Sequence, residues 1–231
     1  MEAKIQKLDN NIWKSLFYMT KAYSDVETQA CSFRLLILSM SYMISNIATR
    51  YSSEFGRFNN LKMRFCNTII FFEKMGCNCD SAFKSVCPSS DKLFNLMKQY
   101  YNFCASRENK IIKKYSDFDR EFDENKITKG VWGPTIWNII HMFAAFYDQT
   151  AEYFTSYKCF VMCLTHTLPC SECRMHFLKH ITKPENNINK FSKTNTDLLY
   201  WSFNIHNAAN LSLNKPLFEW KNAYEMYIVG K

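Results

Sequence analysis

The residues best placed to do chemistry are two cysteines a helical turn apart, in the run Pro169-Cys170-Ser171-Glu172-Cys173. A C-x-x-C pair can be a redox dithiol, half a zinc site or a coincidence. Pro169 makes Cys170 the start of a helix, where unpaired backbone N–H groups and the helix dipole favour a thiolate. One turn on, Cys173 falls on nearly the same face, within disulfide reach. Exposed, slightly strained disulfides of this kind are the exchange-active ones. Zinc would need two further ligands at matching spacing. Cys77-Asn78-Cys79 with Cys87 is a poor match to ribbon patterns, so no metal is expected.

Two histidine-bearing blocks flank the pair. Upstream is the run from Trp132 to His141, in which Gly133, Trp137 and His141 stand four apart and so share one helix stripe. Glycine there admits close approach, while the indole and imidazole offer flat, polar-edged surfaces to a ring system. Downstream, His206, Asn210 and Leu213 share a face, with Asn207 beside them. Taken singly, each is an ordinary core residue. In this order around a C-x-x-C, they outline a site.

The three ordered blocks resemble the Erv/ALR family of flavin-linked sulfhydryl oxidases, over about residues 129–227. The resemblance implies an all-α fold: a C-terminal four-helix bundle plus a short fifth helix, holding FAD beside the cysteine pair. It makes Cys173 the flavin-proximal cysteine and Cys170 the outer one that exchanges with partners. Gly133, Trp137 and His141 match the first flavin-contacting helix, and His176-Phe177 repeats a His-Phe that follows the pair in several members. Trp201, His206, Asn207, Asn210 and Lys215 match the block gripping the adenine and ribose-phosphate portion. Tyr227 falls where the family places a stacking aromatic. The implied activity is FAD-dependent thiol oxidation: disulfides are formed in protein substrates, and electrons pass through Cys170–Cys173 and the flavin to O2, giving H2O2. Many members relay electrons through a second, mobile cysteine pair, for which Cys77 and Cys79, after Gly76, are the candidates here. The implied partners are protein thiols, a thioredoxin-like relay protein and a second copy of the chain.

There is one departure from the family pattern. Cellular members often carry a structural disulfide at positions that are Phe203 and Trp220 here, so an aromatic contact is expected in its place. In overall layout, divergent viral members with an extra helical region ahead of the bundle are the nearest match.

The positioning elements are legible as helices. Pro134 sits well in the first turn of a helix over 134–147. Apolar periodicity continues over 151–167, and a short helix over 170–179 follows Pro169. Thr194 and Asp197 have capping-box spacing, opening a helix that runs to about Leu213 before Lys215-Pro216 stops it. A last short helix covers 222–229. The N-terminal part is also helical in pattern, near 10–23, 27–51, 58–74 and 91–107. The polar stretch 107–129 separates a helical domain over 1–125 from the oxidase-like domain over 126–231. The run Ile12 to Phe17 loosely echoes Ile136 to His141, with Phe17 where His141 stands, so the first domain reads as either a degenerate copy of the second or a chance likeness.

Composition narrows the remaining classes. Of 231 residues, 47% are hydrophobic and only five are glycine and five proline, which favours long helices over a sandwich or a disordered chain. The net charge of +8 lacks a basic run interleaved with aromatics. Lys110, Lys113 and Lys114 are the densest cluster, and no nucleic-acid partner is expected. The N-terminus has no signal-peptide core, and the most apolar stretch, 35–47, carries serines and an asparagine, so no membrane span is expected either. The expectation is a soluble intracellular protein, in host cytoplasm or nucleus or in the virion if viral. Ten cysteines are unusual in such a compartment. Cys159 and Cys163, four apart, read as buried thiols, as do Cys31, Cys66 and Cys104. The competing readings are a non-enzymatic helical structural or adaptor protein with a relict redox site, and a zinc-bound interaction module.

Overall fold

The computed structural model describes residues 129–230 throughout. Of the N-terminal part it describes Lys4, Lys7, Leu8, Asn11, Ile12, Lys14, Ser15, Met19, Leu36, Ser39, Met40, Tyr42, Met43, Ile44, Asn46, Ile47 and Arg50, all helical. The expected helices at 58–74 and 91–107 lie outside the described residues. So do Cys31, Cys66, Cys77, Cys79, Cys104 and the Lys110–Lys114 cluster.

From residue 129 on, five helices succeed one another: α1 (Lys129–Ala145), α2 (Ala151–Thr167), α3 (Ser171–Ile181), α4 (Asn195–Ser212) and α5 (Trp220–Tyr224). A π turn, Glu225–Val229, prolongs α5, and Gly230 ends it in the left-handed region at φ 86°. Among the described residues there are no strands, as an all-α fold requires. The helix expected from 134 begins a turn earlier, at Lys129, with Pro134 inside it. Proline normally drives the preceding residue out of the helical region by clashing with its Cβ. Here that residue is Gly133, which has none.

Each later helix is punctuated by its own side chains. Thr150 opens α2 by accepting from Tyr153 N–H at 3.3 Å. Cys170 is the N-cap of α3, its Sγ accepting from Cys173 N–H at 3.2 Å. Thr194 and Asp197 close the anticipated capping box on α4, at 3.0 Å in both directions. At the other end of α4, Asn214 takes the left-handed conformation at φ 52°. The Lys215 and Asn214 N–H groups then return to the Asn210 and Leu211 carbonyls, a complete Schellman stop set two residues before Pro216. Between α3 and α4 the chain makes two 3-10 turns, Pro184–Asn186 and Ile188–Phe191, that the periodicity does not announce.

α1 and α4 form the central pair, with α2 and α3 packed around them. Between them lie Phe143, Tyr153, Tyr157, Phe160, Leu198 and Leu199, all fully buried. Removing such side chains from water contributes about 1.5–3 kcal/mol each. The buried tyrosine hydroxyls are satisfied: Tyr153 donates to Phe143 O at 2.8 Å and Tyr157 to Ile140 O at 3.1 Å. Leu8, Ile12 and Met19, like Leu36, Met40, Met43 and Ile47, recur at helical spacing and belong to the same buried cluster. The Lys4 ammonium donates to the Ile228 carbonyl, and the Arg50 guanidinium to Phe146 O.

In place of the family's disulfide, Phe203 and Trp220 meet edge-to-face with ring centroids 5.4 Å apart. Tyr200 joins them, 5.0 Å from Trp220. Such pairs contribute about 0.5–1.5 kcal/mol each beyond their burial. They fasten α5 to α4, as the sequence led one to expect.

Candidate functional site

α1, α3, α4 and the last turn enclose a cavity of about 580 Å3, well inside the roughly 300–1,000 Å3 span of small-molecule sites. Of the residues singled out in the sequence, Gly133, Trp137, His141, Cys173, His176, His206, Asn210, Lys215 and Tyr227 line it. Trp201 and Asn207 do not. The Trp201 ring is buried, its indole N–H donating to Asn186 O at 2.7 Å. The Asn207 amide clamps the backbone of Phe218, donating to its carbonyl and accepting from its N–H at 2.9 Å each. Both hold the loops beside α4 in place rather than touching the cavity. Cys77 and Cys79 lie outside the described residues.

Gly133 leaves the cavity floor open, since a Cβ built there would meet nothing within 4 Å. Trp137 and His206 lie face to face at 4.2 Å, their planes 5° apart. His141 joins them, 5.9 Å from Trp137 and 5.2 Å from His206, so that three planar rings stack along one side of the cavity.

Proton positions along this wall follow from its partners. Ser202 donates to the Leu199 carbonyl at 2.8 Å, so its oxygen accepts from His141 Nδ1–H, also at 2.8 Å. His141 Nε2 is then an acceptor, and it receives His206 Nδ1–H at 2.9 Å. Burial, then the neighbouring His206, push the His141 pKa well below the usual histidine range. Burial and the Lys215 cation lower that of His206 to about 4. Both rings are therefore neutral at pH 7, and His206 Nε2 carries a lone pair. From the last turn, Tyr227 donates to Asn138 Oδ1 at 2.5 Å, fixing its ring beside His141 at 5.1 Å.

Cys173 lines the cavity and Cys170, beside it, does not; both are free thiols. Burial would raise the Cys170 pKa. Hydrogen bonds from the Cys173 thiol and N–H, then from the Lys129 ammonium, outweigh it and hold Cys170 below the usual cysteine range. Cys173 moves the other way, to about 11, through burial and its hydrogen bond and proximity to Cys170. The pair is thus polarised, with Cys170 the more readily ionised sulfur.

Sequence reasoning missed two residues. His180 lines the cavity beyond His176, with Nε2 3.2 Å from Ser212 Oγ and a buried Nδ1 that has no partner. Its place four residues after His176, one turn on, was the available signal. Lys129 reaches the cysteine pair from the start of α1. The pair Cys159 and Cys163 divides: Cys163 is buried, its pKa raised to about 12 by burial and then by Cys159, whereas Cys159 is exposed rather than buried. Four-residue spacing put both on one stripe, but that stripe turns outward at its N-terminal end. Among the described residues no cluster of histidine, cysteine or carboxylate side chains could hold a metal. None of their helices is long and apolar enough to cross a membrane.

A helical bundle with a polarised C-x-x-C at the rim of a ring-walled cavity defines a thiol-redox class of protein. The Erv1/Alr family model matches residues 134–228. The chain is 33% identical over 104 residues to an FAD-linked sulfhydryl oxidase of African swine fever virus (isolate Tick/Malawi/Lil 20-1/1983), covering 43% of this chain and 84% of that protein. It is 28% identical to a putative FAD-linked sulfhydryl oxidase of Invertebrate iridescent virus 3, over 43% of this chain and 67% of that one. With a probable FAD-linked sulfhydryl oxidase of Acanthamoeba polyphaga mimivirus, identity is 30% over 41% of this chain and 66% of the relative. No solved structure matches the chain significantly. This chain belongs to the Erv1/Alr family.

Proposed function

We propose that the chain is an FAD-dependent thiol oxidase that makes disulfides in protein substrates, with residues 126–231 as the oxidase unit, 1–125 as a helical domain before it, and a large DNA virus as its source. The observation that carries the proposal is Cys173 on the wall of a cavity whose other walls are Gly133, Trp137, His141, His206 and Tyr227. The open face of Gly133, the stacked rings and the bare His206 Nε2 suit a flat, polar-edged cofactor such as FAD. Asn210, Lys215 and His176, which also line the cavity, would hold its polar portion. FAD, when bound, supplies a two-electron acceptor for the pair on Cys173 and delivers those electrons to dioxygen, giving hydrogen peroxide.

The chain's own residues perform the exchange. In the oxidised pair, a substrate thiolate attacks Cys170 Sγ, forming a mixed disulfide and releasing Cys173 as a thiolate. A second substrate thiol attacks the substrate sulfur, expelling Cys170 and completing the substrate disulfide. Leaving-group thiols of low pKa depart faster, and the donors around Cys170 provide that. Neutral His141 and His206 add no positive charge to the adjoining wall, and the aromatic walls limit access of water.

The test is an oxygen-uptake assay with dithiothreitol on the flavin-loaded protein. Wild type should consume oxygen, whereas Cys173→Ala should bind flavin and consume none above background. Thiol-dependent uptake retained in Cys173→Ala would refute the mechanism. A colourless protein that takes up no FAD would favour a structural or adaptor role.

A further inference from the structure

Three donors converge on Cys170 Sγ. Two of them, the Cys173 N–H at 3.2 Å and the Cys173 thiol, come from the geometry of the C-x-x-C turn itself. The third is the Lys129 ammonium, which comes from a different helix, at the first residue of α1. Lys129 is in turn held by Glu172, the residue between the cysteines, with Nζ 3.2 Å from Oε2. The arrangement is a strap from α1 to α3 that brings one cation up to the cysteine pair, where it favours the thiolate of either sulfur. Among the described residues, the titratable groups acting on Cys170 are Lys129 from α1 and Cys173 on its own helix, while Glu172 faces Lys129. Arg174 is engaged elsewhere, donating to Leu168 O at 2.6 Å.

We propose that Lys129 is a positioning residue for the thiol exchange, its ammonium stabilising Cys170 as a thiolate and Glu172 holding that ammonium in place. The proposal rests on the oxidase reading above and extends it to a residue outside the matched family segment, which begins at 134. Two consequences follow. When the substrate disulfide closes, Cys170 is the sulfur that leaves with the bonding electron pair. Lys129 compensates the charge that develops there. Secondly, a cation that stabilises the reduced pair but has no thiolate to bind in the disulfide makes the pair a stronger oxidant of its substrates. Lys129 and Glu172 are about half exposed, at 48% and 63%. Solvent therefore screens the effect, and an exposed ion pair is worth a factor of roughly 1.5 to 5.

The experiment is a pH series of Cys170 alkylation by iodoacetamide, read by mass spectrometry on the reduced, flavin-loaded protein under nitrogen. It is run on wild type, Lys129→Met and Lys129→Arg. The pair's potential is measured in parallel by equilibration with glutathione. In Lys129→Met the midpoint for Cys170 should rise, and alkylation below it should slow by roughly 1.5- to 5-fold. The potential should fall by the corresponding roughly 5–20 mV, at 29.6 mV per factor of ten. Lys129→Arg, which keeps the charge, should stay near wild type in both. Raising salt should raise the wild-type midpoint toward that of Lys129→Met, because it screens the ammonium's attraction for the thiolate. A loss of packing alone would not give this salt response or the arginine rescue. Coincident midpoints for wild type and Lys129→Met, or a wild-type midpoint indifferent to salt, would overturn the role of Lys129 while a reducible flavin band left the oxidase reading standing. Cysteines inert to reductant and iodoacetamide would overturn both.

Discussion

The neutral histidine wall makes a prediction about acid stability that can be worked through. His206 titrates near 6.5 when unfolded and near 4 in the folded bundle, chiefly because it is buried against Trp137 and His141. Between those values the unfolded chain binds the extra proton and the folded one does not. The stability is therefore fully present above pH 6.5 and is lost as pH falls toward 4. The full difference amounts to about 3 kcal/mol at 1.36 kcal/mol per unit, of which about 2 kcal/mol is gone by pH 5. The more deeply buried His141 acts in the same direction. For a chain of this size, about 2–4 °C of melting temperature corresponds to each kcal/mol. Thermal unfolding followed by circular dichroism should thus show Tm about 4–8 °C lower at pH 5 than at pH 7 from His206 alone. His206→Phe keeps a flat ring against Trp137 but cannot titrate. It should be less stable at pH 7, because His141 Nε2 loses its donor at a cost of about 1–3 kcal/mol. It should also lose distinctly less on acidification than wild type. If both proteins lost the same number of degrees between pH 7 and 5, His206 would not be the buried neutral group described here.

Two further substitutions probe the cavity and the frame around it. Gly133→Leu should fill open space, so FAD affinity measured by fluorescence quenching should fall by more than about tenfold, and its Cβ, set against Pro134 within α1, should also lower the melting temperature of the flavin-free protein. Asn207→Ala should act on the frame alone. Losing both hydrogen bonds to Phe218 should cost about 1–3 kcal/mol in denaturant unfolding, while the midpoint for Cys170 alkylation stays where it is in wild type.

Much of the bundle was legible because its signals are local. The bounds expected for α2 were met at both ends, since Thr150 caps one and the apolar stripe stops at Thr167. The α4 capping box could be read directly from Thr194 and Asp197. The start of α1 could not, because a proline was read as a first-turn residue when a preceding glycine had made it tolerable a turn later. The end of α4 is set by Asn214 in a left-handed conformation, while the sequence drew attention to the more conspicuous Pro216. Among the site residues, Gly133, Trp137 and His141 came together because they lie four apart on one helix. Trp201 and Asn207 match the cofactor block by position in a motif, and motif position does not tell a side chain that lines the cavity from one that braces the loops beside it. Lys129 was invisible for a different reason: its partners are more than forty residues away, and neither period nor spacing connects them.

The ring contact between Phe203 and Trp220 stands at the positions where the family resemblance led one to look for a covalent bond between sulfurs. A disulfide there must be made by some oxidant before α5 is secured, and any reductant can undo it. Aromatic faces need neither event. At this junction the frame of a protein whose proposed work is to oxidise thiols does not consist of its own product. The bundle can assemble with α5 already in place and no oxidant present, and the thiol exchange proposed for Cys170 and Cys173 would leave that attachment unchanged.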